Sequence, residues 1–182
     1  MSLAGFLHGI ATGPRRRRVL LTPVGLLVFG GTLVIVIAGG LVTDRVLRLP
    51  ALLPDVLGLA VGIPVLLAGA FLCGWCVIRF RKAHGTPVPM NPPTELIASG
   101  PYAWVRNPMV TGVLGALFGL GLVLHSIGIA LIWTPAYVLI HWIELKWVEE
   151  PELARRFGRS YLEYKKRVPM FIPRLGRQRY RQ

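Results

Sequence analysis

The hydrophobic positions of the chain fall into four long runs that alternate with polar segments. The runs cover residues 19–43, 56–78, 108–124 and 127–145. A helix rises ~1.5 Å per residue and the hydrocarbon core of a bilayer is ~30 Å thick, so runs of this length can cross a membrane. The pattern predicts an all-α integral membrane protein with about four transmembrane helices, formed as a single membrane domain over 1–182.

The two runs after residue 107 are separated only by His125 and Ser126, which predicts a tight helical hairpin. Small side chains would let helices approach closely there. The small residues of this stretch are Gly112, Gly115, Ala116 and Gly119. Proline lacks the N–H that continues a helix, so Pro135 is expected to kink the fourth run midway.

The polar segments comprise a basic N-terminus at 1–18, a loop at 79–107 and a tail at 146–182. Five prolines between 87 and 101 exclude a continuous helix in the loop. Long loops held by a rigid scaffold are typical places for binding sites. In the tail, apolar and aromatic residues recur every three or four positions, at Leu153, Phe157, Tyr161 and Tyr164. This spacing predicts an amphipathic helix lying on the membrane or on the loop.

Composition and charge agree with the membrane interpretation. The chain is 53% hydrophobic and 16% charged, with a net charge of +13 and a mean hydropathy of +0.56. Of the 21 Lys and Arg residues, only Arg45 and Arg48 lie between the first two runs. Positive-inside orientation explains this asymmetry without a nucleic-acid partner, and it predicts cytoplasmic termini in a bacterial-type inner membrane. Basic residues of the tail, such as Lys165, are expected to contact anionic lipid.

The cysteine and histidine residues of the chain do not indicate a redox centre or a metal site. Cys73 and Cys76 form CGWC inside an apolar run, where small buried helix residues are favoured over a redox pair. His141 and Glu144 share a helix face, but one such pair is too few for a metal site. We therefore expect no metal.

The stretch SGPYAWVRNPMV at 99–110 has both a structural and a functional interpretation. As structure, Asn107 is a favoured helix cap and Pro108 a favoured first residue, while Tyr102 and Arg106 suit the membrane interface. As a site, the helix N-terminus and the Arg106 guanidinium could hold a carboxylate. Aromatic faces beside them could hold a cation.

Two adjacent carboxylates, Glu149 and Glu150, follow the fourth run. The predicted hairpin returns them to the level of Arg106. Pro151 could instead make them the first turn of a solvated helix. If they join Arg106 and the aromatic residues, the combination suits a zwitterionic ligand that also carries a cation and hydroxyls.

Two motifs of the chain resemble the isoprenylcysteine carboxyl methyltransferase family, which is related to the phospholipid methyltransferases. SGPYAWVRNPMV is similar to the family's Ser-Gly-x-Tyr-Ala-Trp-x-Arg-His-Pro-x-Tyr, and EEPELARRFGRSYLEYKKRVP resembles its Glu-Glu stretch followed by Phe-Gly-x-x-Tyr-x-x-Tyr-x-x-x-Val-Pro. The resemblance covers roughly 80–173. It implies a methyltransferase that uses S-adenosyl-L-methionine, whose chemistry fits the ligand described above.

Carried over by position, the resemblance implies a set of cofactor-binding residues. They are Thr94, Glu95, Leu96, Ile97, Tyr102, Asn107, Pro108, Met109, Val110 and Glu149, with Arg106 beside them. Asn107 and Val110 depart from the family's histidine and tyrosine. Leu145 stands where the eukaryotic enzymes carry an arginine associated with the substrate, and Lys146 is next along the chain.

These observations predict transfer of a methyl group to a lipophilic acceptor: an isoprenylcysteine-type carboxylate, a lipid amine or a thiol. Arg106 and Glu150 are the predicted catalytic residues, and Glu144, Leu145 and Lys146 the predicted substrate contacts. A lipid amine would need a base, for which Glu144 and Glu150 are the candidates. The alternatives are a sterol-type membrane reductase that uses NADPH and a non-catalytic lipid-binding scaffold. The sequence leaves the oligomeric state open.

Overall fold

The computed structural model describes residue 5, residues 9–10 and residues 12–173, without the side chain of Arg15. Predictions for residues 174–182, and for the other positions before residue 12, concern residues outside the described part of the chain. Over the described part, the chain is helical and contains no strand. Its α-helices are α1 Arg15–Leu47, α2 Asp55–Lys82, α3 Pro108–Val123, α4 Thr134–Glu144, α5 Glu150–Phe157 and α6 Arg159–Arg167.

Among the described residues, three helices are long and apolar enough to cross a membrane: α1, α2 and a continuous helix over Gly128–Phe157 that contains α4 and α5. The third predicted run forms α3, a shorter apolar helix of 16 residues. The all-α membrane class is therefore confirmed. Both α1 and α2 extend beyond their predicted apolar runs, because a helix can continue into polar residues at either end.

The helix over Gly128–Phe157 contains two wide π-helical segments. Gly128–Trp133 forms its beginning, and Leu145–Glu149 lies between α4 and α5. Each lies just before a proline, Pro135 or Pro151. A proline ring clashes with the carbonyl four residues earlier, and a wider turn relieves that clash. The irregularity predicted at Pro135 takes this form. Pro151 lies in the first turn of α5, as one interpretation of the sequence expected, but this turn continues the longer helix over Gly128–Phe157. Glu150 is buried there, so the Glu149–Glu150 pair is not the solvated helix start of that interpretation.

The tail forms two helices, because the chain bends at Gly158, which has a φ of 55°. The single helix expected from the spacing of apolar residues is thus divided into α5 and α6. Their aromatic residues face the loop: Tyr161, Tyr164 and Val168 form a buried cluster with Ala98. The sequence left open whether this apolar face lies on the membrane or on the loop. In the structure it packs on the loop.

The chain divides into two compact units. The glycine unit comprises 30–73 and 109–141, and the loop unit comprises 12–29, 74–108 and 142–173 of the described chain. The glycine unit contains the middle parts of the long helices. The loop unit contains the proline-rich loop and the C-terminal helices, and every residue of the candidate site described below belongs to it.

Within the glycine unit, α3 approaches α2 closely. A Cβ on Gly69 would lie 2.4 Å from the backbone N of Ala116 and 2.5 Å from the carbonyl of Gly112. Gly119 likewise meets Leu66. Gly112, Gly115 and Gly119 of α3 therefore do permit close packing, but against α2; only Gly121, which was not among the predicted positions, meets the fourth run, at Ala130. The expectation that they pack against the fourth run is wrong for these positions.

Asp44 anchors the start of the fourth run in the same unit. Its carboxylate accepts hydrogen bonds from the Ser126 hydroxyl and, at 2.7 Å, from the Gly128 backbone N–H. The Ser126 hydroxyl oxygen in turn accepts a bond from Ile129 N–H at 2.9 Å. These contacts satisfy N–H groups at the beginning of a helix, where none has an intrahelical partner.

Candidate functional site

The Arg106–Asn107 segment is fixed by the chain that follows α6. Arg106 N–H donates to the Pro169 carbonyl at 2.8 Å, and Asn107 N–H donates to the Met170 carbonyl at 3.1 Å. This short backbone pairing joins segments more than 60 positions apart. It places the Arg106 and Asn107 side chains in the loop unit before α3 begins at Pro108.

The residues just before that segment form a short 3₁₀ helix, Gly100–Ala103. Gly100 has a φ of 63°, and a Cβ there would lie 2.7 Å from the Arg79 Nε, so only glycine fits both the backbone and the guanidinium packed on it. The turn buries Tyr102, whose ring meets Phe80 edge-on at 5.8 Å. Burial and the neighbouring Cys76 raise the pKa of the Tyr102 phenol well above its usual range, so it remains a neutral donor.

Glu150 lies between two cations. Its carboxylate is 2.9 Å from Arg106 Nη2 and 2.6 Å from Lys165 Nζ. The side chains of Glu150 and Arg106 keep only 7% and 11% of their surface exposed. A buried carboxylate is retained where such partners compensate its desolvation. Lys165, for which the sequence predicts a lipid contact, therefore belongs to this ion-pair network.

The network leaves part of the Arg106 guanidinium available. Nε and Nη1 of Arg106 are buried and have no hydrogen-bond partner within the described part of the chain. Such groups are costly to leave unsatisfied. Burial, followed by the negative charge of Glu150, raises the pKa of Tyr161, so a neutral phenol also lies beside this network.

Arg156 connects α5 to the proline-rich loop. Its Nη1 donates to the Pro93 carbonyl at 3.1 Å, and its Nε lies 3.3 Å from the Glu152 carboxylate. Across the same unit, the Tyr164 hydroxyl donates to the Tyr102 carbonyl at 2.7 Å. The loop is thus held against both C-terminal helices by side chains that reach backbone carbonyls.

These elements enclose one cavity, here called the loop cavity, which lies within the loop unit. Five of the chain's eight acidic residues line it, although the chain as a whole is strongly basic. They are Glu95, Glu144, Glu149, Glu150 and Glu152. Glu150 and Glu152 pair with cations, whereas Glu149 has no ion pair or hydrogen bond among the described residues. The loop cavity therefore combines a partly paired arginine with an unpaired carboxylate.

Most of the predicted site residues come together at the loop cavity. Those that line it are Glu95, Leu96, Ile97, Tyr102, Arg106, Asn107, Glu144, Leu145, Glu149 and Glu150. The two motifs identified in the sequence thus contribute to the same wall. Their individual roles stay predictions.

Five predicted residues do not line the loop cavity: Thr94, Pro108, Met109, Val110 and Lys146. Thr94 faces a neighbouring groove. Pro108 is fully buried at the start of α3, and the Met109 carbonyl accepts a contact from Cys73 Sγ at 3.6 Å. The Lys146 ammonium lies 4.7 Å above the Trp142 ring.

Sequence reasoning did not assign several residues that line the loop cavity. Among these are Phe80, Val88, Pro93, Val148, Leu153, Arg156, Phe157, Tyr161 and Tyr164. The apolar periodicity of the tail identified Leu153, Phe157 and the two tyrosines as one helix face, but not what that face covers. No local pattern distinguishes Arg156 from the other arginines of the tail.

Comparison with known proteins supplies the family. The model of the phospholipid methyltransferase family matches residues 57–160, more than half of the chain. The chain belongs to the phospholipid methyltransferase family. This confirms the predicted relation to integral-membrane methyltransferases, and the family supports methyl transfer as the general activity.

Two curated relatives of this family member are bacterial proteins named for metal resistance. The nickel-cobalt-cadmium resistance protein NccN of Alcaligenes xylosoxydans xylosoxydans is 34% identical over 102 residues, or 56% of this chain and 43% of NccN. The cobalt-zinc-cadmium resistance protein CzcN of Cupriavidus metallidurans is 32% identical over 81 residues, or 44% of this chain and 37% of CzcN. The matches thus span less than half of either relative. No solved structure matches the chain.

Proposed function

We propose that this chain transfers a methyl group from S-adenosyl-L-methionine to a lipophilic acceptor at the loop cavity. The observation that carries the proposal is the meeting of both motifs at one cavity whose walls present Arg106, Glu149 and Tyr102. A membrane-embedded site beside apolar helices suits an acceptor that arrives from the bilayer.

The residues present fit the chemical groups of this cofactor. The buried Nε and Nη1 of Arg106, which lack partners among the described residues, would hold its carboxylate. Glu149 would face its positive charge, and the Tyr102 ring would offer an electron-rich face to the same charge. Leu96 and Ile97 would supply apolar surface for the adenine.

When bound, this cofactor supplies a methyl group that is already activated by a sulfonium. The chain has to orient the acceptor and exclude water. The proline-rich loop and the aromatic residues of α6 enclose the cavity for that purpose. Glu150 is engaged by Arg106 and Lys165, so in this proposal it positions Arg106 rather than acting as a base.

A lipid amine as acceptor would need a base at the cavity wall, and Glu144 is the candidate that remains. Leu145 would contribute apolar surface to the acceptor. Lys146 is engaged with Trp142, so a carboxylate acceptor held by Lys146 gains no support from its position.

Calorimetric titration of the detergent-purified protein with S-adenosylhomocysteine tests the proposal. We expect saturable binding that Glu149→Gln weakens at least tenfold, which corresponds to about 1.4 kcal/mol. Glu163→Gln is the matched control, because Glu163 is a carboxylate of the same unit that pairs with the exposed Arg159. It should bind as the unaltered protein does.

Titration with NADPH separates the competing functions. Binding of NADPH alone would indicate a reductase, and binding of neither ligand by the folded protein would favour a scaffold. Equal affinity of the unaltered protein and Glu149→Gln would remove Glu149 from the site.

The orientation in the membrane belongs to the same proposal: both termini and the loop cavity face the cytoplasm. The charge asymmetry supports it, since Arg45 and Arg48 are the only basic residues between the first two apolar runs. A single cysteine placed at position 48 should react with an impermeant thiol reagent from outside only, and one at position 90 from inside only. The protein for this test would carry Cys73→Ser and Cys76→Ser. The reverse labelling pattern would contradict the orientation.

A further inference from the structure

A second concave surface lies next to the loop cavity in the same unit, here called the basic groove. Its polar lining consists of Arg79, Lys82, Thr94, Glu95, Ser99 and Ser160. Its apolar lining consists of Ala83, Leu96, Ile97 and Phe157, of which the last three line the loop cavity as well. The two sites therefore share one wall, formed chiefly by 95–97.

Arg79 is held in a defined place within the groove. It lies in the last turns of α2, and its guanidinium rests against Gly100, where the absence of a Cβ leaves it room. Lys82 follows three residues later on the same helix, so the two cations share a helix face. The groove thus presents a guanidinium and an ammonium from one rigid element.

The two cations of the groove are not neutralised by a carboxylate of the described chain. Within residues 12–173, Arg79 and Lys82 form no ion pair, in contrast to Arg106, Arg156 and Lys165 of the loop cavity. The Ser99 hydroxyl makes no capping bond to the 3₁₀ helix that it precedes. The groove carries two positive charges against the single carboxylate of Glu95.

The position of the groove suggests which anion reaches it. It lies where the apolar helix α2 ends in Arg79, Arg81 and Lys82. The polar end of a membrane-spanning helix is at the level of the lipid head groups, and basic pockets at that level bind lipid phosphate. Phosphate oxygens are bound by a combination of this kind: a guanidinium fork, an ammonium and hydroxyl donors.

We propose that the basic groove binds a phosphate group, with Arg79 and Lys82 as the cations and Thr94, Ser99 and Ser160 as hydroxyl donors. This goes beyond methyl transfer, since the groove is separate from the loop cavity and its ligand does not have to react. The phosphate could belong to a lipid head group or be free in solution.

The test measures binding of short-chain phosphatidylglycerol, of inorganic phosphate and of the matching diacylglycerol, which lacks phosphate, to the detergent-solubilised full chain. We expect saturable binding of the phosphate-bearing lipid and none of the diacylglycerol. Affinity for the lipid well above that for inorganic phosphate would identify a head group as the ligand. Equal affinities would identify free phosphate and also support the site.

Variants of α2 decide whether the groove is responsible. Lys82→Gln should weaken phosphate binding at least fivefold. Arg79→Gln should weaken it at least tenfold, because a guanidinium can bind a phosphate through two parallel N–H donors and an amide cannot. Arg81→Gln is the matched control, since Arg81 lies in the same turn, is exposed and does not line the groove. It should change the affinity less than twofold.

Failure of Arg79→Gln to fold would leave Lys82→Gln as the deciding variant, because Lys82 is exposed. Equal losses in Lys82→Gln and Arg81→Gln would show general electrostatic attraction and overturn the proposal, as would the absence of phosphate binding. Titration of the same variants with S-adenosylhomocysteine measures binding at the loop cavity independently. A failure of the phosphate proposal and a failure of the proposed methyltransferase activity can therefore be distinguished.

Discussion

The two units of the chain are stabilised by different interactions. In the glycine unit, Gly69 and Gly112 bring the backbones of α2 and α3 together, and few charges take part. In the loop unit, buried charges form a network around Glu150, and side chains reach distant backbone carbonyls. Apolar burial does not drive association between helices in lipid, so close backbone packing stabilises the glycine unit instead. Ion pairs lie where a polar ligand would bind.

The largest expected effect comes from removing the centre of the charge network. Glu150→Ala would leave the buried Arg106 guanidinium and Lys165 without their carboxylate. Removing one partner of a buried pair typically costs about 3–5 kcal/mol, because an uncompensated charge remains. Chemical unfolding in detergent, followed by tryptophan fluorescence, measures the free energy of unfolding.

The control for that variant is Glu163→Ala. Glu163 also pairs with an arginine, but the Arg159 side chain is 92% exposed. Exposed pairs contribute roughly 0–1 kcal/mol, so the control should remain near the unaltered protein. Similar losses in both variants would contradict the importance of burial for the loop unit.

The packing of the glycine unit should be broken by a single methyl group. In Gly69→Ala, the added Cβ meets backbone atoms of α3 that cannot rotate away. Overpacking of this kind costs about 1–3 kcal/mol. Gly74→Ala lies on the same helix and has nothing within 4 Å of the added Cβ. It should be neutral or stabilise by up to about 1 kcal/mol.

Thermal unfolding of these two variants in one detergent separates close packing from helix propensity. A lower melting temperature for Gly69→Ala than for Gly74→Ala is expected. If both variants are equally stable, the close contact of α2 with α3 does not stabilise the unit.

A smaller effect is expected from one hydrogen bond of the loop unit. Tyr164→Phe removes the buried donor to the Tyr102 carbonyl and preserves the ring. The loss should be about 1 kcal/mol, the usual contribution of such a bond. The same unfolding measurement detects it, again with Glu163→Ala as reference. A loss no larger than that of the control would show that the hydroxyl does not hold the loop.

The sequence was sufficient to predict the helices, because long apolar runs between charged segments leave few alternatives in a membrane. The resemblance carried by two separate motifs also predicted that Arg106, Tyr102 and Glu149 lie together, and all three line the loop cavity. The small residues of α3 predicted close packing but not its partner. Any neighbouring helix would satisfy that pattern.

What could not be predicted depends on contacts between distant segments. The pairing of Arg106 and Asn107 with 169–170 uses backbone groups, which carry no sequence signal. The pairing of Lys165 with Glu150 is another example, because a lysine in a basic tail is equally typical of a contact with lipid. The prolines explain why the helix is irregular nearby, but the positions of the π-helical turns depend on the packing of the helix around them.

The central claim is that both motifs bind one cofactor in the loop cavity. Ultraviolet crosslinking of the purified protein with methyl-tritiated S-adenosyl-L-methionine, followed by peptide mapping, tests it most directly. The account predicts label in peptides from 86–107 and from 144–164, removed by excess S-adenosylhomocysteine and strongly reduced in Glu149→Gln. Label confined to other segments, or label that excess S-adenosylhomocysteine does not displace, would contradict it.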